Sequence, residues 1–247
     1  MPVTTGRQLR LPFPFQPGFA AVDFMVGDSN EAALAWLNRT QDWPDRRLAL
    51  WGPSGCGKTH LLHIWAERMG AEIWHGPELR GVPLPPASGG IAIDDADALA
   101  DEPALLHLLN ASLAAGLPVL LAATRAPARW TTRLPDLTSR LRAITAIEVH
   151  TPEDSLLQAL LARLLADRQL AVAPALQDWL LLRLARTPAA LREAVLRLDR
   201  AELRQRGRIT KALAASVLAA MDEDSMSYDG SDNEPSSRGG ARPVETG

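Results

Sequence analysis

The sequence predicts an α/β protein in which a parallel sheet covered by helices precedes a small all-helical domain. Short apolar segments alternate with helical patterns over residues 47–150. Continuous apolar strands between helices are typical of a parallel sheet that is buried on both faces. After His150 the patterns are helical only. With 247 residues, of which 47% are hydrophobic, the chain is large enough to build both cores.

The α/β region contains five predicted strands and two clear helical segments between them. The helical segments are 59–70, which Gly70 terminates, and 102–116. The strands are short and apolar, as a buried parallel sheet requires, because both of their faces must be covered. They span residues 47–51, 71–75, 90–97, 117–124 and 143–150.

The region after His150 is predicted to form a helical domain over residues 151–221. Its first helix begins with a capping motif in which Thr151 is the N-cap, Pro152 occupies the first helical position and an acid follows three residues after the cap. Two further helices are predicted from their N-cap threonines and their ends. They start at Thr187 and Thr210 and end near residues 206 and 221.

A glycine-rich segment follows the first predicted strand. "GPSGCGKT", residues 52–59, matches the phosphate-binding pattern G-x-x-x-x-G-K-[ST] and leads from a strand into a helix. Backbone N–H groups would surround the phosphates, Lys58 would contact the β- and γ-phosphates, and Thr59 would bind Mg²⁺. The alternative is a chance glycine-rich turn. The candidate nucleotide-binding residues are Gly52, Pro53, Ser54, Gly55, Cys56, Gly57, Lys58, Thr59 and His60.

The predicted strand 90–97 brings carboxylates to its carboxyl end, which is expected to lie beside the phosphate-binding loop. Asp94 would hold the Mg²⁺, and Asp95 would orient or deprotonate the attacking water. The alternative is a solvated acidic turn that ends the strand. Asp97 is interpreted as a helix cap or a surface acid.

Two polar residues further along are candidates for a nucleotide-hydrolysing site. Thr124 ends the strand 117–124, where a γ-phosphate sensor is expected, although a strand-end threonine needs no special role. Arg140 lies just before the last strand, where such folds present an arginine to a neighbouring subunit's nucleotide. An arginine finger accelerates hydrolysis by roughly 10³ to 10⁵. Arg142 is the competing candidate, and a surface ion pair is the other alternative.

Composition excludes several classes of function. The single cysteine, Cys56, excludes an internal disulfide and a cysteine-based metal site, and no apolar run reaches the length of a membrane span. We expect a cytoplasmic protein that does not bind membranes. Residues 222–247 carry seven acids against two arginines, a charge of −5, so the total of −3 leaves +2 for residues 1–221. We interpret 222–247 as a disordered tail, and the near-neutral remainder argues against a DNA-binding face.

The segment "RQLRLPFPFQPGF", residues 7–19, is apolar, but its prolines disfavour a helix. We interpret residues 1–21 as a flexible arm that either packs on its own protein or becomes ordered on another. The second possibility would give a short extended contact, which is weak unless several copies bind together.

The phosphate-binding loop, the double-Asp strand, "SRL" at 139–141 and the helical lid together resemble an AAA+ ATPase. "VDFMVGDSNEAALAWL", residues 22–37, is similar to the segment that lines the nucleotide base in the bacterial replication initiator DnaA. Relatives of DnaA also carry Asp at the place of Asp95. "QLRLPF", residues 8–13, matches the clamp-binding peptide Q-L-x-L-P-[LF], and no helix-turn-helix follows the lid. On these features the chain resembles the Hda family, the regulatory inactivators of DnaA.

The resemblance implies an AAA+ P-loop ATPase base with a parallel sheet plus a small all-helical lid domain. It divides the chain into an arm (1–21), a base (22–150), a lid (151–221) and an acidic tail (222–247). The implied ligands are ADP or ATP with Mg²⁺. The implied partners are DnaA and the β sliding clamp of DNA polymerase III, with DNA reached only through the clamp. The implied clamp-binding residues are Gln8, Leu9, Leu11, Pro12 and Phe13.

The implied function is negative regulation of replication initiation, in which Arg140 stimulates hydrolysis of the ATP bound to DnaA. One departure concerns the second sensor arginine of the initiator's lid helix. An ungapped match places Ala189 there, whereas a shift of three residues places Arg192. We prefer the ungapped match, which aligns the rest of the helix, and so expect a weak intrinsic ATPase at most.

Two other functions stay open on the sequence. One is a DnaA-like adaptor or loader scaffold that binds nucleotide without promoting hydrolysis. The other is a stand-alone DNA-binding ATPase, against which the near-neutral charge argues. Association between copies of the chain is also left open.

Overall fold

The computed structural model describes residues 24–205 and 208–229. The chain divides after His150 into two compact units. The predicted clamp-binding residues, Gln8, Leu9, Leu11, Pro12 and Phe13, lie outside the described residues, so their role stays a prediction. Among the described helices, none combines the length and apolar character needed to cross a membrane.

The first unit is built on a five-stranded sheet in which every neighbouring pair of strands is parallel. This confirms the predicted α/β class. The strand order is β2-β3-β4-β1-β5, so β1 lies between β4 and β5 near the middle of the sheet. The strands are β1 (Arg47–Trp51), β2 (Glu72–His75), β3 (Ile91–Asp94), β4 (Val119–Ala123) and β5 (Thr145–Glu148).

Alternate residues of the strands supply two hydrophobic cores, one on each face of the sheet. Ala49 of β1 lies in one core, whereas its neighbours Leu48 and Leu50 lie in the other. This period of two follows from the pleat of a strand. The helices of this unit are α1 (Glu31–Leu37), α2 (Lys58–Met69), α3 (Glu102–Ala114) and α4 (Pro135–Ala143). Leucines of α3 and α4 complete the first core, and α1 and α2 complete the second.

Over the described residues of the second unit, the regular secondary structure is helical only. Buried leucines of α5 include Leu157 and Leu161, and those of α7 include Leu191 and Leu198. Helices α5 and α7 contact each other, and α7 also contacts α8. The four helices are α5 (Asp154–Asp167), α6 (Pro174–Leu181), α7 (Pro188–Gln205) and α8 (Lys211–Asp229).

The predicted caps of the last two helices are confirmed. The Thr187 hydroxyl accepts a hydrogen bond from the Ala190 N–H at 3.2 Å, and the Thr210 hydroxyl accepts one from the Leu213 N–H at 3.3 Å. Each bond satisfies one of the N–H groups that the first turn of a helix leaves unpaired.

The predicted cap of the first lid helix is wrong. Helix α5 begins at Asp154, and its N-cap is Glu153, which has an extended backbone and makes no side-chain cap bond. Pro152 is buried instead of occupying the first helical turn. The apparent capping motif therefore lies in the connection that precedes the helix.

The predicted end of the last helix is also wrong. Helix α8 continues past Met221 to Asp229, so residues 222–229 are helical and are not part of a disordered tail. One reason is that Asp224 forms an ion pair with Arg197 of α7, at 2.8 Å between Nη1 and Oδ2. This contact gives the acidic end of α8 a partner on the neighbouring helix.

Candidate nucleotide-binding site

The strand order brings the predicted site residues to one edge of the sheet. Strand β4 lies between β3 and β1, and the strands are parallel, so all three carboxyl ends lie side by side. The loop 52–57 follows β1, Asp94 ends β3, and Thr124 follows β4. The Gly52 N–H also donates to the carbonyl of Ala123 at 3.3 Å, which fixes the start of the loop against the end of β4.

The loop requires its glycines. The φ angles of Gly52, Gly55 and Gly57 are 153°, 77° and 109°, which are conformations that other residues rarely adopt. A Cβ on Gly52 would also lie 2.1 Å from the carbonyl oxygen of Val149. Gly57 immediately precedes α2, whose first-turn N–H groups are therefore close to the loop. This arrangement is a cradle of backbone N–H groups suited to an anion.

Lys58 is the first residue of α2, and its side chain lies over the loop. Its ammonium donates to the carbonyls of Gly52 and Pro53, both at 2.9 Å, and the residue is only 9% exposed. The cation is thus held where the loop closes on itself. Burial raises the pKa of the nearby Cys56 thiol, although Lys58 opposes that shift, and a protonated thiol gives no support to a redox role.

The two residues after Lys58 face different surroundings. Thr59 is exposed, whereas His60 is buried. The His60 ring packs edge-on against Phe24, with 5.2 Å between ring centroids. This contact places the segment that begins at Phe24 beside helix α2. The segment then turns at Gly27, whose N–H donates to the Asn30 side chain at 3.1 Å.

The two carboxylates after β3 differ in exposure and therefore in chemistry. Asp94 is 7% exposed, and its Oδ1 accepts a hydrogen bond from the Asp95 N–H at 3.1 Å. Asp95 has a left-handed backbone, with φ at 49°, and its side chain is exposed. Asparagine and aspartate tolerate this conformation better than most residues. The left-handed turn at Asp95 directs the carboxylates of these two consecutive residues to different positions.

The donor set fits Mg²⁺ if phosphates and water complete it. Among the described residues, no group of three or more His, Cys, Asp or Glu could hold a metal ion. Mg²⁺ usually keeps several waters and binds through one or two protein oxygens plus phosphates, so Thr59 and Asp94 suffice. Burial lowers the pKa of His63 on α2, the charge of Asp94 opposes that shift, and His75 adds to it. Asp94 is therefore close to the first turns of α2.

Thr124 is exposed at the end of β4, but it does not stand alone. Its hydroxyl and its N–H both donate to Oδ2 of Asp97, and the N–H distance is 3.0 Å. The same oxygen accepts from the Arg125 N–H at 3.2 Å. The interpretation of Asp97 as a helix cap is therefore wrong, because its carboxylate binds the candidate sensor residue. Only the pairing of β3 with β4 brings these residues together.

Arg140 lies away from the phosphate-binding loop. It belongs to the last turns of α4, which connects to the amino end of β5, and that end pairs with the amino end of β1. Burial lowers the pKa of Arg47, the first residue of β1, and the charge of Arg140 lowers it further, whereas Asp45 raises it. Arg140 is thus close to Arg47, at the opposite edge of the sheet from the loop.

The two candidate finger arginines differ in exposure. Arg140 is half-buried, and its Nε is buried without a hydrogen-bond partner. Arg142 is exposed and lines a surface cavity of about 470 Å³ together with Thr132, Arg133, Pro135, Thr138 and Ser139. Sequence reasoning did not identify Arg47 as a neighbour, because its burial depends on the packing of α3, whose Leu109 carbonyl accepts from its guanidinium at 2.7 Å.

The alternatives for the second sensor both lie on α7 in the second unit. Ala189 is exposed in the first turn, and Arg192 is half-buried about one turn later. The choice between them stays a prediction.

The sheet order, the loop and the helical unit define the AAA+ P-loop ATPase fold. The chain is similar to domain III of DnaA from Thermotoga maritima, with 16% identity, a TM-score of 0.68, and coverage of 84% of this chain and 98% of that one. It is also similar to AMPPCP-bound DnaA from Aquifex aeolicus, with 15% identity, a TM-score of 0.61, and coverage of 77% and 69%. A third similar structure is the RuvB Holliday junction branch migration motor of T. maritima, with 20% identity, a TM-score of 0.59, and coverage of 79% and 70%.

The sequence comparison gives a further relative. The chain is 26% identical over 229 residues to an uncharacterized protein of Haemophilus influenzae, covering 85% of this chain and 98% of that protein. No family model matches the chain.

Proposed function

We propose that the chain binds an adenine nucleotide with Mg²⁺ at the carboxyl ends of β1, β3 and β4. One observation carries this function: the sheet places the phosphate-binding loop, the buried Asp94 and Thr124 side by side. The similarity in fold to a DnaA structure that contains AMPPCP supports the choice of adenine nucleotide. ADP and ATP both fit this function.

Each residue of the site has a definite role in this proposal. The loop N–H groups and Lys58 hold the phosphates, and Thr59 and Asp94 hold the Mg²⁺. The metal neutralises negative charge on the phosphates. Asp95 has an exposed carboxylate, so it is free to orient or deprotonate a water molecule in any hydrolysis that the chain performs itself.

A pair of neighbouring variants tests this site. Asp94→Asn should weaken the binding of Mg·ADP by roughly tenfold or more, because it removes the carboxylate that holds the metal. Asp95→Asn is the matched control and should lower hydrolysis while leaving the affinity for Mg·ADP within about twofold. Titration calorimetry with and without Mg²⁺ measures the affinity of both variants for ADP. Equal effects of the two variants on affinity would contradict the assigned roles.

We further propose that the chain stimulates hydrolysis of ATP bound to DnaA, with Arg140 as a finger that acts on the partner's nucleotide. Arg140 lies toward the amino edge of the sheet, and β1 alone separates the two edges by about 13 Å, or four residue steps of about 3.3 Å. An arginine at that distance is better placed for a neighbour's nucleotide than for its own. The products of such a reaction are ADP-bound DnaA and free phosphate.

The direct test is ATP hydrolysis by DnaA from the same organism, with and without this chain and with DNA-loaded sliding clamp. We expect the chain to raise the single-turnover rate, and the clamp to raise it further. No change in rate at saturating concentrations of the chain would exclude the regulatory function. It would leave the nucleotide-binding proposal intact, since that has its own titration.

We propose that Gln8, Leu9, Leu11, Pro12 and Phe13 form the clamp-binding peptide. Its sequence supports an extended segment, because Pro12 disfavours a helix and Leu9 and Leu11 are spaced to point to the same side. Gln8→Ala combined with Leu11→Ala should abolish retention on DNA-loaded clamp. Arg10→Ala is the matched control, since Arg10 occupies the variable position of the pattern Q-L-x-L-P-[LF]. Unchanged retention of the double variant would contradict the assignment.

A second candidate function has one observation in its favour. Arg140 is half-buried, and its Nε is enclosed, which suits a structural residue better than an exposed finger. In an adaptor or loader scaffold that binds nucleotide without promoting hydrolysis, Arg140 would be such a half-buried structural residue. The DnaA hydrolysis assay separates the two functions, because only the regulator raises the rate.

A further inference from the structure

We propose that Asp97 restrains the hydroxyl of Thr124 and thereby reduces the preference of the site for ATP over ADP. This inference rests on the proposed nucleotide-binding function. It adds a specificity-determining residue that acts through Thr124.

The geometry begins with the turn after β3. The left-handed backbone of Asp95 reverses the chain, and the Ala98 N–H donates to the Asp95 carbonyl at 3.0 Å. The Ala96 N–H then donates to the carbonyl of Ala122 in β4 at 2.8 Å. These bonds attach the turn to the end of β4 and hold Asp97 beside Thr124.

One carboxylate oxygen of Asp97 binds three donors. They are the Thr124 hydroxyl, the Thr124 N–H at 3.0 Å and the Arg125 N–H at 3.2 Å. A carboxylate is an acceptor only, so the hydroxyl must be the donor in the side-chain bond. The hydroxyl proton is therefore committed to Asp97.

A threonine hydroxyl has a single proton. While it donates to Asp97, it cannot donate to an oxygen of a γ-phosphate. The hydrogen bond to a carboxylate is charge-assisted, so exchanging it for a bond to a phosphate oxygen brings a smaller net gain than a free hydroxyl would. ADP has no γ-phosphate and is not affected. Asp97 thus lowers the affinity for ATP relative to ADP.

A purely structural role for Asp97 makes a different prediction. Its bonds to the two N–H groups satisfy donors beyond the last paired residues of β3 and β4, Ile93 and Leu121. Loss of that support alone would affect ATP and ADP equally. All three bonds are exposed, so water can replace the carboxylate at the N–H groups. We therefore expect Asp97→Ala to fold.

The test is a double-mutant cycle on the ratio of the Kd for Mg·ADP to the Kd for Mg·ATP, measured by titration calorimetry. Asp97→Ala should raise this ratio roughly fivefold to tenfold, because it frees a donor for a charged acceptor. Thr124→Val should lower the ratio at least fivefold more in the Asp97→Ala background than in the original chain. Asp136→Ala, which removes an exposed acid of the same unit, controls for the loss of one negative charge.

Asp97→Ser provides a second variant if Asp97→Ala does not fold. The serine side chain is one bond shorter than that of aspartate, so its oxygen should not hold the Thr124 hydroxyl. An unchanged ratio in the Asp97 variant, or a gain that persists after Thr124→Val, would overturn the inference while nucleotide binding stands. Absence of Mg·ADP binding to the original chain would instead overturn the proposed nucleotide site, and the inference with it.

Discussion

The two edges of the sheet differ in how their charged groups are paired. At the carboxyl edge, Lys58 donates to loop carbonyls and Asp97 binds Thr124, so the charged groups have local partners. At the amino edge, Arg47 donates to the Leu109 carbonyl, but the like charge of Arg140 lies close to it, and the Nε of Arg140 has no hydrogen-bond partner. The first edge is the one that we propose receives the phosphates. The second carries positive charge that a partner molecule could neutralise.

The largest expected effect comes from a substitution at the amino edge. Arg140→Ala should remove the stimulation of DnaA-bound ATP hydrolysis, a loss of roughly 10³-fold in the stimulated rate, because a finger acts directly on the transition-state charge. Arg142→Ala, two residues further along the same helix, is the matched control and should keep most of the stimulation. Single-turnover hydrolysis measures both. The reverse result would transfer the finger to Arg142.

The next effect concerns the fold of the carboxyl edge. Gly52→Ala adds a Cβ that would lie 2.1 Å from the Val149 carbonyl oxygen, at a φ of 153°. We expect it to lower the free energy of unfolding by about 3 kcal/mol or more. Gly116→Ala is the control, since Gly116 has a φ of 67° but no atom within 4 Å of the added Cβ. It should cost only about 1 kcal/mol, and denaturant unfolding compares the two.

The sequence predicts those parts of the fold and of the candidate site whose signal is local. The loop 52–59, Asp94 and the caps Thr187 and Thr210 are predictable, because each follows from a short motif with a fixed spacing. The contact of Asp97 with Thr124 spans 27 residues, and it forms only because the turn after β3 bonds to β4. No local pattern contains that information.

The errors at the helix ends have the same origin. Thr151 and Pro152 have the residue types of a capping motif, but Pro152 is buried ahead of the helix. Packing there overrides the local preference. The sequence pattern ends α8 too early, because its acids indicate a solvated tail, whereas Arg197 of α7 pairs with Asp224. Neither partner is visible in a pattern read along one helix.

The smallest expected effect is a pH dependence of stability that arises from His63, near the carboxyl edge. Burial lowers the pKa of His63 in the folded state, so the folded protein resists a proton that the unfolded chain takes up near pH 6.5. The protein should therefore lose some stability as the pH falls below about 6.5, and His63 should contribute nothing above that range. His63→Asn should flatten this part of the stability profile. His107→Asn, at an exposed site, should not, and thermal unfolding from pH 5 to 8 measures the difference.

The central claim is that the carboxyl edge holds the phosphates of an adenine nucleotide. Titration of Mg·ADP into the original chain and into Lys58→Ala tests it most directly. Lys211→Ala, at the only other lysine and in the second unit, is the control. We predict micromolar or tighter binding to the original chain and to the control, and at least a hundredfold loss in Lys58→Ala. Binding that is unchanged by Lys58→Ala, or absent from the original chain, would contradict the claim.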